Sequence, residues 1–104
     1  MSQCVVHNDT VYLAGQVDRD AAPTAGEQTQ RILARIDELL AMAGTDKSKV
    51  LTATIWLSDM RFFSEMNEVW DAWVSPENTP ARACVEARLA TTKFLVEIRM
   101  TAAR

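Results

Sequence analysis

Histidine is almost absent from this chain, with His7 the sole example, and only two cysteines, Cys4 and Cys84, occur in its 104 residues. The first scarcity excludes a metal centre built from several histidines, and it leaves a cysteine nucleophile short of its usual imidazole base. The second excludes a disulfide framework, so the chain reads as a reduced, cytoplasmic protein. Glycine occurs at three positions only, too few for a glycine-rich phosphate loop. No serine stands in a nucleophile elbow. No run of about 18 apolar residues exists, so no membrane partner is expected. Residues 1–10 show neither the basic start nor the apolar stretch of a signal peptide. An excess of positive charge is also missing: 11 Lys and Arg against 14 Asp and Glu leave a net charge of −3. That balance weighs against a nucleic-acid partner, which asks for a basic patch.

What is present fits one small domain over residues 1–104. A chain of this size gains from burying further surface against other subunits. Residues 4–7 and 10–17 are rich in β-branched side chains, and Asn8-Asp9 between them tolerates the positive φ of a tight turn, which predicts a hairpin. Thr24-Ala-Gly-Glu27 has the form of a capping box. Beyond it Thr29, Leu33, Ile36, Leu40 and Ala43, flanked by Ile32 and Leu39, recur at helical spacing up to Gly44, a natural stop. Residues 50–57 alternate, with Leu51, Ala53, Ile55 and Leu57 on one face and Thr52, Thr54 and Trp56 on the other. Ser58 or Asp59 caps a second helix whose stripe is Phe62, Phe63, Met66, Val69, Trp70 and Trp73. Two more alternating segments follow. In residues 81–89 the apolar face is Ala81, Ala83, Val85, Ala87 and Leu89, against Arg82, Cys84, Glu86 and Arg88. In residues 94–101 Phe94, Val96, Ile98 and Met100 oppose Leu95, Glu97, Arg99 and Thr101.

The element order is therefore ββαβαββ. Two amphipathic helices cover one face of one sheet. The other face, carrying Trp56 and Tyr12, needs a second cover, and a symmetric oligomer supplies one.

Chemistry then rests on charge carried by strands. Antiparallel pairing of the last two strands would bring Arg82 close to Glu97. Such a pair reads either as a solvated ion pair worth ~0–1 kcal/mol or as a site. In the second reading an arginine grips a substrate carboxylate through two parallel hydrogen bonds, and a carboxylate activates water. Cys84 reads either as a small buried strand residue or as a thiol nucleophile.

Pro80-Ala-Arg-Ala-Cys-Val-Glu86, followed by Leu95-Val-Glu-Ile98, resembles the signature of the RidA/YjgF family. Tyr12-Leu-Ala-Gly-Gln16 is similar to the family's Ser-Gly-Gln strand, Glu27-Gln-Thr29 to the start of its first helix, and Met66-Asn-Glu-Val-Trp70 to its second-helix Asn-Glu-x-Tyr segment. The resemblance spans nearly the whole chain. It implies an α+β, chorismate-mutase-like fold: one mixed sheet with two helices on one face, assembled as a homotrimer with a site in each cleft between subunits. It implies hydrolysis of enamine and imine intermediates, such as 2-aminoacrylate, 2-iminopropanoate and 2-iminobutanoate, to a 2-oxo acid and ammonia without a cofactor. Under it Arg82 binds the substrate carboxylate and Glu97 positions the water. Gly15 and Cys84 line the pocket, and Asn67 supports the cleft or is a structural amide. Ala14 stands where the family has serine, and Leu89-Ala90 where it has Leu-Pro. Two other readings remain open: a non-catalytic trimer that binds small carboxylates, and the RNA cleavage or translation inhibition also attached to the family.

Overall fold

The computed structural model describes residues 1–104. The hairpin forms as expected: β1 (Cys4–His7) and β2 (Thr10–Leu13) pair in register around a two-residue turn, with Asn8 at φ 48° and Asp9 at φ 63°. Positive φ at both central residues is what a turn matched to strand twist requires. β2 is shorter than expected and ends at Leu13, and Gln16 resumes the line as an isolated bridge to Ile98.

α1 (Ala25–Met42) starts at Thr24, whose Oγ1 accepts from the backbone N–H of Glu27 at 3.1 Å. Only that half of the expected capping box forms. The next orphan donor, the N–H of Gly26, is satisfied by the Glu65 carboxylate from the second helix at 2.8 Å. Glycine eases the approach, since a Cβ would sit 3.0 Å from that carboxylate and oblige the Glu65 side chain to give. α1 closes on Gly44 at φ 81°, and the N–H of Thr45 returns to the carbonyl of Leu40.

β3 (Val50–Leu57) carries one irregularity. Its pairing slips between Val50 and Thr52, so Val50 turns inward and Leu51 is 48% exposed. The expected place of Leu51 beside Ala53, Ile55 and Leu57 is thus corrected: the extra residue of a bulge shifts the alternation by one. Asp59 caps a single 3₁₀ turn, Met60–Phe62, through the N–H of Arg61, and α2 (Phe63–Trp73) continues directly from it. β4 (Ala81–Glu86) and β5 (Val96–Ala103) complete the fold.

The sheet order is β1-β2-β5-β3-β4, antiparallel throughout except for the parallel pair β3–β4. A parallel pair needs a crossover, and α2 is that crossover. β4 and β5 are therefore not neighbours, as the approach of Arg82 to Glu97 required: β3 lies between them. Both helices cover one face. Ile32, Leu33, Ile36, Leu40 and Met66 pack there with Val11, Leu13, Ile55, Leu57, Val96, Ile98 and Met100, all buried. No helix is long and apolar enough to cross a membrane.

β4 is oriented opposite to its apparent amphipathy. Its register aligns Arg82 with Ala53 and Cys84 with Ile55, both inward-facing, so Arg82 and Cys84 lie on the helix side. Ala81, Ala83 and Val85, expected to face the core, are exposed on the open side. The reason is position. β4 is an edge strand under the rim of α2, where a long polar side chain reaches water and still packs its stem.

Gln28 is fully buried and joins three segments. Its Nε2 donates to the carbonyls of Ala22 and Lys93, and its Oε1 accepts from the N–H of Leu95 at 2.9 Å. Gln28→Leu would strand all three backbone groups, at a cost of about 2–4 kcal/mol. Gly44→Ala, which forces alanine into the left-handed region, should cost about 1 kcal/mol. Thermal denaturation should rank the two variants in that order, with roughly 4–8 °C lost per kcal/mol for a domain of this size.

Candidate functional site

Arg82 rises from the edge strand towards α2. Its Nη1 donates to Asn67 Oδ1 at 2.7 Å. Its guanidinium carbon lies 5.1 Å from the ring centre of Trp70 and 5.8 Å from that of Phe63. Phe63, Asn67 and Trp70 are spaced i, i+4 and i+7, which puts them on one side of α2. The Asn67 carbonyl turns to the arginine while its amide leans towards Asp71 Oδ2 at 3.4 Å. No carboxylate pairs with Arg82. The cation is held by an amide and two aromatic faces, which orient it without neutralising it. Most of its five N–H donors remain open to an anion.

Cys84 lies two residues further along the same face of β4. Burial pushes its thiol above the ordinary value, against a smaller opposing pull from the Arg82 charge. The group is a protonated thiol at neutral pH, which suits a wall residue better than a nucleophile.

Glu97 lies on the open face, paired with Trp56 across β5–β3. Its carboxylate has no ion-pair partner and borders a hollow of about 290 Å³ together with Gln3, Gly15, Arg19, Ala90 and Phe94. Gly15 makes the close approach possible, since any Cβ there would collide with the Glu97 carboxylate. The segment is pinned beside β5 by Gln16, which exchanges backbone hydrogen bonds of 2.8 and 3.0 Å with Ile98.

The expected residues thus fall into two groups. Arg82, Asn67 and Cys84 come together; Glu97 and Gly15 come together. The groups do not meet. Arg82 is level with Ala53 and Met100, whereas Glu97 is level with Trp56 and Val85. That places them two strands and three residues apart, roughly 10 Å across the sheet and 10 Å along it, on opposite faces. The close Arg82–Glu97 pair within one chain is corrected accordingly. His7 lies at the hairpin, bonded to Asn8, away from both groups.

The sequence reading missed four residues. Trp70 and Phe63 were visible only as core stripe, although their spacing about Asn67 signals the shared face. Arg19 sits in a loop, where no periodicity marks it, and Phe94, expected on the inward face with Val96, precedes β5 and borders the Glu97 hollow instead.

Arg82 opposes the upward shift of Cys84, so Arg82→Ala should raise the thiol pKa further. Alkylation of Cys84 in a Cys4→Ser background, followed by mass spectrometry across pH 7–11, should show its midpoint move to higher pH. An unchanged or lower midpoint would contradict the electrostatic coupling.

The geometry can be set beside known proteins. A family model described as Endoribonuclease L-PSP matches residues 1–104. A RutC family protein of Haemophilus ducreyi is 48% identical over 102 residues, covering 98% of this chain and 87% of that one. The RutC family protein YoaB of Escherichia coli is 44% identical over 102 residues, covering 98% of this chain and 89% of its own. Among solved structures, a YjgF-family member from Neisseria meningitidis superposes with a TM-score of 0.97 at 51% identity, covering all of this chain and 87% of that one. Sequence and fold agree along the whole length, and the chain belongs to the RidA/YjgF family.

Proposed function

We propose that this protein is a cytoplasmic, cofactor-independent deaminase of reactive 2-enamino and 2-imino acids, working as a homotrimer with its sites between subunits. The observation that carries the reading is Arg82: a half-buried guanidinium, oriented by Asn67 and two rings, with no acid of its own to neutralise it. Such a group is a receptor for a small carboxylate. The separation of Arg82 from Glu97 supports the inter-subunit arrangement, because a cleft that joins one chain's β4 edge to another's Glu97 hollow would complete the site.

In this mechanism two N–H groups of Arg82 hold the substrate carboxylate. Glu97 accepts a hydrogen bond from a water and takes its proton as the oxygen adds to the imine carbon. The same carboxyl returns the proton to nitrogen. The Glu97 carboxylate then takes the hydroxyl proton of this carbinolamine and passes it to the amino group, and the C–N bond breaks with its electron pair leaving as ammonia while the carbon becomes a 2-oxo group. An enamine such as 2-aminoacrylate first takes a proton on its terminal carbon to give the imine. Gly15 and Cys84 form walls, and Asn67 keeps Arg82 in place.

The name of the matching family model favours one other reading, RNA cleavage. The net charge of −3 and a single histidine at the hairpin tip offer little to a polyanion or to general acid–base cleavage by a histidine pair.

The test is ammonia release from 2-iminopropanoate and 2-iminobutanoate made in situ by an amino-acid oxidase. Wild type should accelerate it. Arg82→Ala should lose about 10- to 100-fold in carboxylate affinity, and Glu97→Gln should keep affinity but lose at least ~100-fold in rate. Binding of 2-oxo acids without acceleration would make the protein a carboxylate-binding trimer instead. RNA degradation abolished by Arg82→Ala would favour the nuclease.

Co-expressing Arg82→Ala and Glu97→Gln chains separates a shared site from a single-chain one. If each site takes its arginine and its glutamate from different subunits, random mixing restores about a quarter of the sites. A site within one chain would recover nothing.

A further inference from the structure

The hollow at Glu97 forms a trough lined by Gln3, Gln16, Arg19 and Phe94. It shares Gln3, Gln16 and Arg19 with a second cleft of about 370 Å³ beside α1, where Arg31 and Arg35 stand one helical turn apart. Two of the three guanidiniums are engaged: Arg35 donates to Glu38 at 2.9 Å, and Arg31 lies 3.6 Å from Asp20 and 3.8 Å from Asp18. Arg19 has no ion-pair partner.

The acids nearby are committed elsewhere. Asp18, only 6% exposed, accepts from the N–H of Ala22 at 2.8 Å and of Asp20 at 3.2 Å. Gln16, equally buried, gives its Nε2 to Gln3 Oε1 at 2.8 Å and to the Ala14 carbonyl at 3.0 Å. Those bonds leave Gln16 Oε1 and the Gln3 amide N–H groups without protein partners beside the trough. Its surface therefore combines an uncommitted cation, open amide groups and the Phe94 ring, with Glu97 at one end.

A substrate whose imine carbon lies over Glu97, with its carboxylate on Arg82 of the adjoining subunit, projects its side chain away from Arg82 and into this trough. A methyl or ethyl group would leave Arg19 and the amides without counterparts. A side chain ending in a carboxylate would supply a counter-charge to Arg19, in a geometry a guanidinium binds with two parallel hydrogen bonds, and acceptors for the Gln3 amide N–H groups. The Arg19 charge would also offset the repulsion between that second carboxylate and Glu97. We propose that the trough selects 2-imino and 2-enamino acids whose side chain carries a second carboxylate, with Arg19 as the specificity-determining contact. The inference rests on the deaminase reading for its orientation of the substrate.

The experiment compares 2-iminoglutarate with 2-iminobutanoate, both generated in situ from the amino acids, on wild type and Arg19→Gln. The ratio of kcat/KM for the first over the second should fall about 10- to 100-fold in the variant, the effect of removing a charge-assisted contact. Calorimetric binding of 2-oxoglutarate and 2-oxobutanoate to the same two proteins provides a readout independent of turnover. 2-Oxoglutarate should bind more tightly to wild type and lose that advantage in Arg19→Gln. An unchanged ratio, or equal losses for both substrates, overturns the assignment of Arg19 while wild-type turnover of 2-iminobutanoate keeps the deaminase reading. Selective binding of 2-oxoglutarate that depends on Arg19, with neither imine accelerated, overturns the deaminase and leaves the second-carboxylate pocket standing. Binding of neither oxo acid overturns the pocket.

Discussion

Two parallel strands cannot be joined by a tight turn, and the need for a crossover between β3 and β4 arranges most of what matters here. The crossover is α2, which must lie across the sheet between the strands it connects. That places Phe63, Asn67 and Trp70 above the edge strand and gives Arg82 an amide and two rings to rest against. It also puts β3 between β4 and β5, so the cation and Glu97 end on different strands, different levels and different faces. Arg82 takes its surroundings from this connection, while Glu97 takes its own from the segment that Gln16 pins to β5.

The separation has an energetic meaning. Had Arg82 and Glu97 met on one exposed face, they would have formed an ion pair of small stabilising value, and each would have silenced the other. Apart, each keeps its charge available. Arg82 is steadied by neutral groups, which preserve its orientation and its donors. Glu97 is given room by Gly15, which has no side chain to intrude. Arg19 is a third charge without a partner, and it borders the same hollow as Glu97. Uncompensated charges in partly enclosed places cost stability unless something answers them. Arg82 and Glu97 are half-buried and bear that cost, whereas Arg19 is exposed and stays solvated.

The open face of the sheet tells a related story. Val5, Tyr12, Leu51 and Val85 are exposed there or at its border, next to Trp56 and a Thr52–Thr101 hydroxyl contact of 2.6 Å. Glu97, Arg99 and Thr54 share this face, which mixes apolar and polar groups and has no second layer within the chain. The small Ala81 and Ala83 of β4 also lie on it. They look like core in the sequence, yet they face outwards, where a close approach by another backbone is easiest.

Periodicity and turn chemistry made the elements legible. Asn8-Asp9, the Thr24 cap, Gly44 and the two helical stripes depend on neighbours within a turn or two, and local sterics and hydrogen bonding decide them. The inward Val96, Ile98 and Met100 of β5 and the uncovered face bearing Trp56 followed from simple alternation, though Phe94, expected with them, precedes the strand. By itself, then, the sequence determined the elements, their order, the two-helix cover and the residue types available for binding a carboxylate. The tertiary structure alone decided which strands are neighbours, which way β4 turns its two faces, and how a bulge moves Leu51 outwards. It also decided that Arg82 joins Asn67 and Trp70 while Glu97 joins Gly15 and Arg19. Those outcomes depend on contacts between residues far apart in the chain, and an alternating strand carries no mark of which face its partners will cover.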